Sequence, residues 1–332
     1  MPDDYGNPDP NPDWLQIDWR SHLRRVALPG AEVNYAEIGA GEPIVFVHGI
    51  SGSWQNWLEN LPRFGRGHRA IALDLPGFGA SPMPSWPIEM RAYGRLVHDF
   101  CEKVGVERGA TLVGNSMGGL VAAEAVLSAP GRFDRLVLVS AAGLINTWLP
   151  RQRGTATSQA WGTFGPHYRG AARTIVGNRL LRYLTFRFVI RYPGRLRKEL
   201  LWEQMASGLP ADGFADALQS VIEYDARDRL AEIEIPTMIV WGMDDWVISA
   251  LAALSYHRRI PIPASRSSSA PATCRSWSAR SGSTACWRSS SPDGRGQGVE
   301  RLVLFPRPRR RTADKLSSGK VKRNPLVPPV SP

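Results

Sequence analysis

Over the first 260 residues, short apolar runs alternate with helix-length amphipathic stretches. Pro43-Ile44-Val45-Phe46-Val47 is one such run, and Arg69-Ala70-Ile71-Ala72-Leu73 is the next. Gly109-Ala110-Thr111-Leu112-Val113, Arg135 to Val139 and Thr237-Met238-Ile239-Val240-Trp241 continue the series. Each is short enough for a strand, apolar on both faces, and followed by a Gly-rich or polar turn. Between them the 3.6-residue pattern predicts helices over Trp54 to Leu61, Met90 to Val104 and Gly118 to Ser128. This alternation predicts an α/β fold, a mostly parallel sheet with helices on both faces, and places its chemistry in the turns after the strands.

The rhythm stops between Leu144 and Leu230, where the pattern is helical and Arg, Trp, Tyr and Phe are interleaved from Trp161 to Tyr192. That stretch reads as an inserted helical cap or as a helical extension that only adds core. It changes again at Pro261: Pro, Ser, Arg and Ala dominate, and no Asp or Glu occurs between Asp245 and Asp293. The expected organisation is a polar leader over 1–23, a first core part over 24–143, a cap over 144–230, a second core part over 231–260 and a basic tail over 261–332, expected to be disordered.

Composition matters at two points. Hydrophobic residues at 43% and charged residues at 21% have the balance of a globular chain, and no apolar run approaches a membrane span. The formal charge of +11 invites a nucleic-acid reading, but Pro261 to Pro332 holds 14 Lys+Arg against 3 Asp+Glu, leaving 27 of each before it. The basicity therefore belongs to the tail, so no nucleic-acid partner is expected, and with no spanning run no membrane partner is expected either. The start, Met1-Pro2-Asp3-Asp4-Tyr5, has neither the basic nor the apolar region of a secretory signal, so a cytoplasmic location is expected. Cys101, Cys274 and Cys286 are too scattered for a disulfide framework or a zinc site. No metal or cofactor is implied; the expected partner is a small-molecule substrate, and a homodimer stays open.

Gly114-Asn115-Ser116-Met117-Gly118 matches the G-x-S-x-G elbow between a strand and a helix. There the glycines permit a tight turn that lifts the Ser116 hydroxyl off the sheet. The helix N-terminus faces the oxygen that turns negative when Ser116 attacks an acyl carbon. The backbone N–H of Met117 is one candidate donor to that oxyanion. The other is the N–H of Ile50, in the turn His48-Gly49-Ile50-Ser51 after the first apolar run, where Gly49 lets the chain approach the nucleophile. His48 reads as a brace of this loop rather than a base. Asp244 and Asp245 end the last apolar run, and one of them would hold the tautomer of a histidine base.

Taken in order, these features resemble the α/β-hydrolase superfamily: His48-Gly49, Asp74-Leu75-Pro76-Gly77-Phe78-Gly79-Ala80-Ser81, the elbow, the helical insertion, and Ile235 to Gly242 leading to the acid. The resemblance covers about Glu32 to Ile260. It implies that 144–230 covers the active site and, from the W-G-x-x-D pattern, selects Asp245 over Asp244. Asn115 and Met117 flanking the serine are similar to the branch with meta-cleavage-product hydrolases and related esterases. An elbow serine under a helical cap suits hydrolysis of small to medium carboxylic esters, with carbon–carbon bond hydrolysis and a catalytically impaired or non-catalytic binding protein as alternatives. A basic pocket using Arg182, Arg187 or Arg191 would favour an acidic substrate.

The resemblance also implies a Gly-His pair one strand beyond the acid, and the chain has none: its histidines are His22, His48, His68, His98, His167 and His257. The genetic code offers a reason. Joining the third base of each codon to the first two of the next, Pro271-Ala272 permits Gly, Ala272-Thr273 permits His and Cys274-Arg275 permits Pro. Trp277-Ser278, Ser278-Ala279 and Ala279-Arg280 then permit Glu, Arg and Pro, and Gly282-Ser283 and Ser283-Thr284 permit Phe and Asn. The shifted frame can read G-H-x-P-x-x-E-R-P-x-x-F-N, the pattern the family carries around its catalytic histidine. The expectation is a frameshift between Ile260 and Ala264, with the last strand and closing helix of the sheet lost.

Overall fold

The computed structural model describes residues 11–144, 171–187, 190, 193, 196–208, 211–242, 245, 247–261 and 301–305. They form an eight-stranded sheet of order β1-β2-β4-β3-β5-β6-β7-β8. The strands are β1 Leu23–Leu28, β2 Ala31–Ile38, β3 Pro43–Val47, β4 Arg69–Leu73, β5 Ala110–Asn115, β6 Phe133–Val139, β7 Thr237–Gly242 and β8 Arg301–Phe305. β1 and β2 pair antiparallel, β2 pairs antiparallel with β4, and every other pairing is parallel.

The apolar runs become central strands because both faces are covered. Val45, Val47, Ile71, Leu73, Leu112, Leu136, Leu138, Ile239 and Trp241 enter one core. The intervening Ile44, Phe46, Ala70, Ala72, Val113, Val139 and Val240 enter a second core on the other face, as the two-residue period of a strand demands. Helices α2 (Met90–Lys103) and α3 (Met117–Ser128) supply the first core. Trp54, Trp57 and Leu58 supply the second, together with Leu61 at the start of α1 (Leu61–Gly65).

Two expectations are corrected, the Trp54 to Leu61 helix and the disordered tail, and two further elements are added. Leu23–Leu28 and Ala31–Ile38 are strands; the first reads poorly because an edge strand leaves Arg24, Arg25 and Ala27 exposed. Trp54 to Leu61 is not one helix: Trp54–Trp57 is a 3-10 turn boxed by Ser53 and Asn56, and a separate helix starts at Leu61 with Pro62 in its first turn. The second half of the leader folds, since Trp14 is buried in the second core and its carbonyl accepts from Trp19 Nε1 at 2.9 Å. The tail supplies a strand, Arg301–Phe305, a local apolar run whose backbone takes the open edge beside β7 from Met238↔Arg301 to Gly242↔Phe305. The rest of the tail and residues 145–170 lie outside the described residues.

The described part of the insertion is helical: α4 (171–177), α5 (Arg179–Phe186), α6 (Lys198–Gly208) and α7 (Phe214–Glu223). Its end is tied to the core. Ala226 N–H donates to Gly143 O at 3.2 Å, joining the two ends of the insertion, and Gly213 N–H donates to Gly77 O at 3.0 Å. Leu200 of α6 joins the Trp54–Trp57 core. α8 (Leu251–Arg259) follows β7 and buries Tyr256, whose hydroxyl donates to Ala142 O.

Candidate active site

β3 pairs with β4 on one side and β5 on the other, so the chain reverses direction across the sheet at β3. The turns at the carboxyl ends of β3 and β5 border the crevice where open α/β sheets bind ligands. They carry His48-Gly49-Ile50 and Ser116.

Ser116 has φ 55° and ψ −121°, a left-handed conformation that side-chain-bearing residues avoid. The surroundings enforce it. Its N–H donates to Val139 O at 2.9 Å, and its carbonyl accepts from Gly119 N at 3.0 Å and Ala142 N at 2.9 Å. Strained backbone held by neighbouring strands and a helix is the arrangement that projects a nucleophile.

The elbow glycines have distinct reasons. A Cβ on Gly118 would lie 2.3 Å from the carbonyl oxygens of Val47 and His48, so only glycine lets α3 descend onto β3. A Cβ on Gly114 would lie 2.2 Å from Gly118 O. On Gly49 it would lie 3.0 Å from Ser116 Cβ, which measures how closely the β3 turn approaches Ser116. Met117 is the first residue of α3, so its N–H has no partner within the helix. Among the described residues neither this N–H nor that of Ile50 donates a hydrogen bond.

His48 is fully buried. Its Nδ1 lies 2.7 Å from Gly49 O, and its Nε2 accepts from Leu75 N–H at 3.0 Å. The acceptor role of Nε2 puts the ring proton on Nδ1, so the imidazole is neutral and both nitrogens are occupied. Burial pushes its pKa down to about 4, against the Gly49 contact that raises it.

Asp74, given no role from sequence, ties this turn to the rest of the core. Oδ1 accepts from Trp54 N, and Oδ2 accepts from Ala80 N at 2.9 Å and Asn34 Nδ2 at 2.8 Å. Burial raises its pKa to about 6 even though all three bonds lower it. A polar residue inside a D-L-P-G motif was the available signal; its three partners come from β2, the β3 turn and the β4 turn, and only folding brings those together.

Asp245 stands beyond the carboxyl end of β7, two strands from Ser116 across the sheet. Its Oδ1 accepts from Val247 N and Ile248 N, both at 2.9 Å, which fixes the carboxylate; Oδ2 has no partner among the described residues. Asp244, Arg191 and His167 lie outside the described residues. Arg182 Nη1 donates to Leu196 O at 3.3 Å and Arg187 lies over the Tyr183 ring, so neither of these contacts is with the Ser116 turn. No described cluster of His, Cys, Asp or Glu could hold a metal ion.

A family model described as the alpha/beta hydrolase fold matches residues 42–271. The chain belongs to the α/β-hydrolase family. It is 32% identical over 253 residues to the 2-hydroxy-6-oxo-2,4-heptadienoate hydrolase of Pseudomonas putida, covering 71% of this chain and 84% of that one. It is 39% identical over 117 residues to the dihydrolipoyllysine-residue acetyltransferase component of the acetoin cleaving system of Cupriavidus necator, spanning 31% of that protein. The structure resembles a hydrolase from Pseudomonas aeruginosa with a TM-score of 0.59 and 25% identity, over 72% of this chain and 86% of that one. The α/β-hydrolase is a hydrolase by family, and no described helix is long and apolar enough to cross a membrane.

Proposed function

We propose that this α/β-hydrolase is a serine hydrolase of small to medium carboxylic esters whose nucleophile is Ser116. The observation that carries the reading is the strained Ser116 at the head of α3, with the Gly49-Ile50 turn packed against it. Ser116 Oγ would bond to the acyl carbon while its proton passes to a histidine and then to the departing alcohol; water would then release the acid by the same route. The N–H groups of Ile50 and Met117 would hold the oxyanion, and Asp245 Oδ2 would orient the histidine.

The occupied ring nitrogens of His48 argue against its serving as that base. The frameshift reading supplies the base: with the frame restored, a histidine falls 27 to 28 residues after Asp245. The shifted frame also permits a stop codon at Pro292-Asp293, which would end the chain shortly after the histidine region. A second reading, carbon–carbon bond hydrolysis, is favoured by the 32% identity to the heptadienoate hydrolase over most of its length.

Hydrolysis of short-chain p-nitrophenyl esters by the chain, by a chain with the frame restored after Ile260, and by Ser116→Ala in each tests the proposal. The restored chain is expected to exceed the other three by at least about 10³-fold, the usual cost of losing a triad member. Equal activity of the unaltered chain through Ser116 would overturn the frameshift. Activity surviving Ser116→Ala in the restored chain would overturn the nucleophile.

A further inference from the structure

The charge of the first part of the insertion is one-sided. Leu144 to Lys198 carries 11 Lys and Arg and no Asp or Glu. The rest of Met1 to Ile260, which includes the second part of the insertion, holds 16 cations against 27 carboxylates, so the neutral body joins a strongly positive segment to an equally negative remainder. Segregation on this scale gives that segment a field of its own.

Within that segment α5 presents an apolar stripe to solvent. Leu180 is 64% exposed, Leu184 53% and Tyr183 46%, and the spacing i, i+3, i+4 puts all three on one face. The helix is pinned in this orientation. Asn178 caps it by accepting from Leu180 N and Leu181 N, and Phe186 packs against the cluster of Ala172, Val176, Leu201 and Met205. Arg187 lies over the Tyr183 ring at 5.5 Å, continuing the stripe by one turn, and Arg179 is exposed at its start. An apolar face framed by arginines has the composition of an interfacial helix.

We propose that α5 seats the cap on an anionic lipid surface, with Leu180, Tyr183 and Leu184 entering the headgroup region and the surrounding arginines meeting lipid phosphates. The absence of carboxylates from the segment favours an anionic partner, and the exposed leucines favour a lipid surface over a nucleic acid, which offers them nothing to enter. The expectation of no membrane partner concerned spanning segments, and a surface contact needs none. The proposal is independent of the chemistry at Ser116, because binding requires no turnover.

Co-sedimentation of the full chain with vesicles of phosphatidylcholine, alone or with about one third phosphatidylserine, tests it. Three proteins are compared: wild type, Leu180→Ser/Leu184→Ser, and Arg309→Ser/Arg310→Ser/Arg311→Ser, which weakens the basic tail. Wild type is expected to bind the anionic vesicles at least about tenfold more tightly than the neutral ones, and the leucine pair to lose about tenfold. The tail variant should bind the anionic vesicles at least as well as the leucine pair. Since both leucines are exposed, unchanged circular dichroism is expected to show that the pair folds. If the leucine pair binds like wild type, the tail alone attracts the vesicles and the proposal fails. Equal binding to neutral vesicles would overturn it too. So would a leucine pair that alters only the sedimentation mass, since the stripe would then pair with a second copy.

Discussion

His48 and Asp74 sit on adjoining turns, both buried, with pKa values displaced in opposite senses by the same cause. Desolvation penalises the charged form, which lowers that of an imidazole and raises that of a carboxyl. The folded value of His48, about 4, lies below its ordinary 6.5, so the fold binds fewer protons than the unfolded chain between them. Stability from His48 is therefore lost as pH falls through that window. The folded value of Asp74, about 6, lies above its ordinary 3.8, so the fold binds more protons and stability from Asp74 is gained as pH falls. Each displacement corresponds to something on the order of 3 kcal/mol, and the two oppose each other. Thermal melts from pH 7 to pH 4 should show the gap between wild type and Asp74→Asn widening on acidification and the gap between wild type and His48→Gln narrowing. Gaps that move in the same direction would mean that one group is not buried as described.

At the scale of elements, the site depends on how closely α3 lies on β3. A Cβ on Gly118 meets two backbone carbonyl oxygens, which cannot rotate away as a side chain can. Gly118→Ala is therefore expected to cost about 3 kcal/mol in urea unfolding, at the upper end for overpacking. Gly67→Ala meets nothing within 4 Å and should stay within about 0.5 kcal/mol of wild type. A second tie runs from α3 to the end of the insertion: Glu124, buried, accepts from the Tyr224 hydroxyl and pairs with Arg229. Gly94 of α2 packs against Glu124, where a Cβ would lie 2.6 Å from Glu124 Cβ. The G-x-S-x-G pattern was legible because its physics is local. The Glu124 cluster was not, because its partners stand 100 and 105 residues away.

For the whole molecule, the tail contributes the strand that pairs with β7. The edge of the sheet beside β7 is taken by a strand from the tail, Arg301–Phe305, where the resemblance implies a strand followed by a closing helix. Restoring the frame after Ile260 would return the apolar strand and helix that the resemblance implies. The restored chain should melt about 10 °C above the unaltered one, which corresponds to a few kcal/mol for a chain of this size. The unaltered chain should elute partly as aggregate in gel filtration. A cooperative melt of the unaltered chain as a monomer at the same temperature would show that the tail completes the sheet and would count against the frameshift proposal.

Sequence alone determined what depends on neighbours along the chain. Pro43–Val47 and Arg69–Leu73 read as strands at the bounds they occupy, because runs apolar on both faces suit a covered sheet. The strand-turn-helix at Ser116 and the helices between β6 and β7 were legible for similar reasons, from glycine spacing and from the loss of strand rhythm. Tertiary structure decided what depends on distant partners. Whether both ring nitrogens of His48 are engaged turned on Leu75 N–H reaching its Nε2. The value of Asp74 turned on its being enclosed by β2 and two turns. The place of Leu23–Leu28 turned on pairing with Ala31–Ile38. Hydrophobic periodicity records which face of an element is covered, while hydrogen-bond roles and ionisation depend on which groups the fold brings within 3 Å.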